Sequence, residues 1–170
     1  MNEPVLSTFK ILMQKSLNKD IDETWIDWAA EMMEAGFESH SLYILAGITK
    51  PYNQFELQQL TSKVLTDLKL DFSDREKVVK DYVYFLISCS INNVGIYLKT
   101  LRDLKDLCFD LDMDDQYMDF YLLYWAKDDL TETESQYYWD GADRENIDQI
   151  ITEYFKNWKM KYQLEKTEIA

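Results

Sequence analysis

Nowhere in this chain do polar and apolar residues alternate long enough to make a half-buried strand. The apolar residues recur instead at three- and four-residue intervals, which is the period of an amphipathic helix. The stretch "ETWIDWAAEMMEA" shows it best. Trp25, Trp28, Ala29, Met32 and Met33 make one face, Asp22 precedes them as an N-cap, and Gly36 closes the run as a C-cap. Pro4 opens an earlier helix running to about Asn18, with Val5, Phe9, Leu12, Met13 and Leu17 at helical spacing. Ser39 starts a short third helix ended by Gly47, and Pro51 forces a turn. Asn53 with Glu56, and Ser73 with Glu76, have the spacing of a capping box and start the fourth and fifth helices. Asn92 or Asn93 caps a sixth. A seventh spans about Asp114 to Lys127, and an eighth starts at Asp143 and runs to Tyr162 or beyond.

These helices and their short connections predict an all-α fold, a bundle or array of about eight antiparallel helices. One domain is expected over residues 1–165, with residues 166–170 as a frayed tail. No internal repeat of fixed period is present, which argues against a solenoid. The 46% apolar content, with 5 Trp, 12 Tyr and 8 Phe, supplies a core large enough to fold without a staple. Cys89 and Cys108 sit inside apolar helical patterns and read as small core residues in a reducing compartment. The first residues lack the basic start of a signal peptide, and no apolar run approaches membrane-span length. The expected location is the cytoplasm, with no membrane partner.

Chemistry is sparse. His40, the sole histidine, lies between Ser39 and Ser41 at a helix start, where a surface or capping role suits it better than catalysis. No nucleophile elbow, phosphate loop or dinucleotide fingerprint occurs. "DLDMDDQYMDFY", residues 110–121, resembles a calcium loop through Asp110, Asp112 and Asp114. It fails at the sixth position (Asp115 for Gly) and the twelfth (Tyr121 for Glu). No catalytic residue, metal site or cofactor is expected. A carboxylate enzyme using Mg²⁺ from the acids at 110–119 or 128–134 is the least favoured alternative.

Charge is concentrated. Of the net −14, residues 110–153 carry net −12, with 14 acids against only Lys127 and Arg144, whereas residues 154–170 carry net +2. Such a field repels nucleic acid and attracts basic partners. Inside it lies "SQYYWDGADREN", where Tyr137, Tyr138 and Trp139 follow a polar run. Either the rings are presented as an interface or they fold back as a plug over the bundle's end; at least one should be exposed. The candidate surface comprises Tyr137, Tyr138, Trp139, Asp140, Asp143, Glu132, Glu134, Asp128, Asp129 and Tyr121. Asp128 and Asp129 stand at the end of the seventh helix, where the dipole disfavours anions and a cation, on a partner for instance, would relieve them.

The segment "YYWDGADRENIDQIITEYFKNWK", residues 137–159, resembles the C-terminal part of the colicin and pyocin DNase immunity proteins. The matching positions are Tyr137 and Tyr138, Gly141, Asp143, Ile147, Ile150 or Ile151, and Trp158 with Lys159. Trp139 stands where that family prefers Pro, this chain is about twice as long, and its first 110 residues have no assigned counterpart. The resemblance implies a small acidic helical inhibitor whose tyrosine pair and neighbouring acids occupy a basic DNase surface without catalysis. "SLYILAGITKPYNQFE" and "MDFYLLYWAKDDL" also resemble stretches of uncharacterised bacterial proteins. The leading expectation is a protein-binding module that neutralises a basic partner such as a toxin. The alternative is a structural, self-associating helical scaffold.

Overall fold

The computed structural model describes residues 3–169. Among them are eight α-helices and one 3₁₀ turn, with no strand, so the all-α class holds. The helices are α1 (Thr8–Ser16), α2 (Glu23–Glu34), α3 (His40–Ala46), α4 (Gln54–Asp67), α5 (Arg75–Asn92), α6 (Tyr97–Asp110), α7 (Met118–Glu132) and α8 (Ile147–Ile169). Two compact units share them, one ending at Tyr82 and the other beginning at Val83, so the boundary falls inside α5. No helix among the described residues is long and apolar enough to cross a membrane.

The first unit is built on a tryptophan pair. Trp25 and Trp28 meet edge to face at 5.8 Å, surrounded by buried Ile11, Ile21, Met32, Leu42, Leu45, Val64 and Leu65. Trp28 Nε1 donates to Thr8 Oγ1 at 2.9 Å, whereas the buried Nε1 of Trp25 has no hydrogen-bond partner among the described residues. Two glutamines of α4 hold the α1–α2 connection by acting on its backbone. Gln54 exchanges bonds with both N and O of Ile21, and Gln58 Nε2 reaches Lys19 O. Lys15 is buried yet satisfied, its ammonium donating to Gln58 O, Gln58 Oε1 and Thr61 Oγ1 at 2.8–2.9 Å. No carboxylate pairs with it among the described residues, and burial pulls its pKa below the ordinary lysine value.

The expected caps at Asp22, Ser39 and Asn53 accept from Thr24 N, Leu42 N and Glu56 N. Two starts differ. Pro4 lies outside α1, which begins only at Thr8 after a turn. The fifth helix is capped by Asp74, whose carboxylate accepts from Lys77 N, because Ser73 is held in a turn by Asp71. Phe55 is 73% exposed in the first turn of α4. Asn93 caps the 3₁₀ turn that leads into α6; the side chain of Asn92 lies outside the described residues.

In the second unit α6 and α7 pack closely together, and α7 meets α8. Leu101, Leu104, Cys108, Phe120, Leu123, Ala126, Ile147, Ile151 and Phe155 fill the interior. Leu122 and Trp125 are only half-buried. Cys108 is a buried free thiol whose pKa is raised by burial and by the charge of Asp114, and Cys89 is free and half-buried. Rings continue in an unbroken series. Trp139 packs on Tyr154, Tyr154 on Phe120, Phe120 on Trp158, Trp158 on Tyr162 and Tyr162 on Tyr84, with centroids 5.4–6.2 Å apart. The helical backbone of α8 continues to Ile169, through most of the stretch expected to fray, and Ala170 lies outside the described residues.

Candidate functional site

Residues 133–146 join α7 to α8, and their own side chains fix the backbone. Gln136 Oε1 accepts from Tyr138 N and Trp139 N at 2.7 and 2.8 Å, while its Nε2 donates to Trp139 O and Ala142 O. Gly141 takes a φ of 76°, the left-handed conformation that glycine adopts without strain. Asn146 Nδ2 then donates to Gly141 O. The Asp143 carboxylate accepts from Glu145 N and Asn146 N, and Asn146 Oδ1 accepts in return from Asp143 N. This reciprocal pair has the logic of a capping box and feeds the chain into α8.

On this frame Tyr137 is 93% exposed and Tyr138 41% exposed. Neither side chain has a hydrogen bond, ring contact or cation among the described residues. Trp139 turns the other way, half-buried and edge-on to Tyr154. Two of the three rings are therefore exposed, and the third packs back on α8.

The remaining expected residues divide in the same manner. Glu134 and Asp140 flank the tyrosines and are exposed, and Asp128 and Glu132 are exposed on the last turns of α7. Asp143 is also exposed, but its carboxylate is engaged in capping. Asp129 is half-buried, and its carbonyl accepts from Thr133. Tyr121 lies on α7, half-buried with its ring 6.2 Å from Trp125, so it packs more than it presents. Because α7 extends to Glu132, beyond the Lys127 limit read from the sequence, Asp129 and Glu132 stand in its last turn, which has no basic residue.

The cation that this helix end needs comes from the chain itself. Arg144 Nε donates to Leu130 O and Thr133 O at 2.9 and 3.0 Å, satisfying the terminal carbonyls of α7. Lys127, the other base of the acidic segment, pairs with Asp148 at 2.7 Å. Tyr97 donates its hydroxyl to the same carboxylate oxygen at 2.7 Å, so the starts of α6 and α8 meet at the Lys127 turn of α7. Partial burial works to raise the pKa of Asp148, but bonds from Lys127 and Tyr97 outweigh it and hold the carboxyl below its usual value. With both bases engaged by other groups of the chain, no ion pair neutralises Asp128, Asp129, Glu132, Glu134, Asp140 or Glu145 among the described residues.

The aspartates of the calcium-like stretch have other uses. Asp112, with φ 54°, ends α6, and Asp114 Oδ1 accepts from Gln116 N in the turn before α7. No cluster suited to a metal ion is present among the described residues. Gln136, Arg144 and Asn146 shape the candidate site, and the sequence did not reveal them. The one signal for Arg144 was a lone base in a run of acids. The chain matches no protein-family model, and neither a curated protein nor a solved structure matches it.

Proposed function

We propose that this chain is a non-enzymatic binding module that engages a basic protein through the acidic, tyrosine-bearing surface between α7 and α8. In this reading it masks or inhibits its partner, as the immunity proteins mask a nuclease toxin. One observation carries the proposal. Tyr137 and Tyr138 project unpartnered from a loop held rigid from within, among carboxylates whose nearby bases are engaged elsewhere. Tyrosine is enriched where protein interfaces gain most of their energy, and opposed charge guides the encounter. A loop already fixed in shape loses little further freedom on binding.

The test begins with capture of the partner from source-cell extract at low salt, followed by calorimetry with the purified partner. Tyr138→Ala is expected to weaken the complex by about 2 kcal/mol, as a hot-spot ring does. An unchanged affinity removes Tyr138 from the surface. Light scattering that finds a stable oligomer burying Tyr137 and Tyr138 supports self-association instead.

A further inference from the structure

The tyrosines of the second unit show how this protein treats ring faces. Tyr124 carries the Lys105 ammonium at 5.0 Å, Tyr84 carries Lys159 at 5.4 Å and Lys166 at 5.9 Å, and Tyr162 carries Lys166 at 4.9 Å. Tyr121 and Tyr154 meet other aromatic rings. Tyr137 and Tyr138 have neither kind of partner, although they lie in the most acidic part of the chain. Glu134 and Asp140, both exposed and without an ion pair, stand within four residues of them.

From this arrangement we infer that the surface selects arginine over lysine on its partner, a guanidinium lying on an open tyrosine face while its N–H groups reach Glu134 or Asp140. The inference rests on the protein-binding reading above and names the side chain that reading requires. A guanidinium is planar, stacks on a ring and can grip a carboxylate with two parallel N–H bonds. An ammonium is a compact and strongly hydrated charge that loses more water in making the same contact. The attraction of a ring face for a cation is common to both side chains, so geometry and hydration decide the preference.

The test is an NMR titration of the full chain at low salt with two synthetic peptides. They share one glycine-spaced sequence and differ only in carrying arginine or lysine at every charged position. The arginine peptide is expected to bind roughly three- to fivefold more tightly. The double variant Tyr137→Ala/Tyr138→Ala should remove that difference while keeping the residual charge attraction to both peptides. Tyr137→Phe should retain it, since the ring face survives, and thermal melts confirm that each variant is folded. Equal affinities, or a preference that persists in the double variant, overturn the inference and leave the protein-binding reading intact. Failure of both peptides to bind while a basic partner is still captured likewise removes the arginine contact alone. Failure to capture any partner counts against the broader reading.

Discussion

Gln136 uses both ends of its amide: one oxygen takes two backbone N–H groups and one nitrogen reaches two carbonyls, so Tyr137 departs from a backbone with little room to sag. Gln136→Ala would strand those groups. We expect it to cost about 1–3 kcal/mol and to speed amide exchange at Tyr138 and Trp139, as measured by urea unfolding and hydrogen exchange. Tyr154 gives a prediction in pH. Burial, reinforced by the charge of Asp119 and a hydrogen bond to it, raises its pKa above the ordinary 10.0. Folding therefore favours the neutral phenol. That contribution is whole below pH 10.0 and is lost as pH rises from there through the folded value, because the unfolded chain ionises first. Tyr154→Phe should flatten part of the alkaline loss seen when urea midpoints are compared at about pH 8 and about pH 11. At this scale the sequence was only partly legible. The rings and acids announce themselves by type. A single glutamine in a polar run carries no periodicity, and its role exists only once the loop has closed around it.

Helix ends repeat one solution. In α1, α2, α4 and α6 the last turn closes with paired bonds, the second residue past the cap donating to a carbonyl five positions back. These run from Lys19 to Gln14, Phe37 to Met32, Leu70 to Leu65 and Met113 to Cys108. The residue between takes positive φ, and only Gly36 is a glycine there; Asn18, Lys69 and Asp112 fill the other three places. Lysine is the poorest fit: all three carry a Cβ that crowds the carbonyl, but the short polar side chains of Asn and Asp offset this by bonding locally. Lys69→Gly should therefore stabilise the protein by about 0.5–1 kcal/mol, the relief of strain exceeding the entropy cost of glycine. Differential scanning calorimetry would read this as a rise of about 1–4 °C in Tm. Element starts were legible wherever one capping side chain stood alone, as at Asp22, Ser39 and Asn53. The start of α5 was not, because Asp71, Ser73 and Asp74 compete and only the folded turn assigns their donors. Ends lacking glycine give no sequence signal.

For the whole molecule the uneven charge matters most. Residues 110–153 carry net −12, and their two bases are engaged within the chain, Lys127 with Asp148 and Arg144 with the carbonyls of Leu130 and Thr133. Association with a basic partner should weaken steeply as ionic strength rises, because the screening length shrinks from ~10 Å at 0.1 M to ~3 Å at 1 M. Stopped-flow measurements should show most of that loss in the association rate. A salt-independent rate would mean that the carboxylates do not steer the encounter. The division into two units was invisible beforehand for a simple reason. It falls within α5, where no glycine, proline or change of composition marks a boundary.

Arg144 has one further consequence. Between Lys127 and Lys156 it is the only residue after which trypsin can cut. To enter the protease's specificity pocket its side chain would first have to release the carbonyls of Leu130 and Thr133. Limited digestion of the native protein should therefore spare this peptide bond, long and exposed as the connection is. Arg144→Lys, with a single ammonium in place of the fork, should be nicked there earlier.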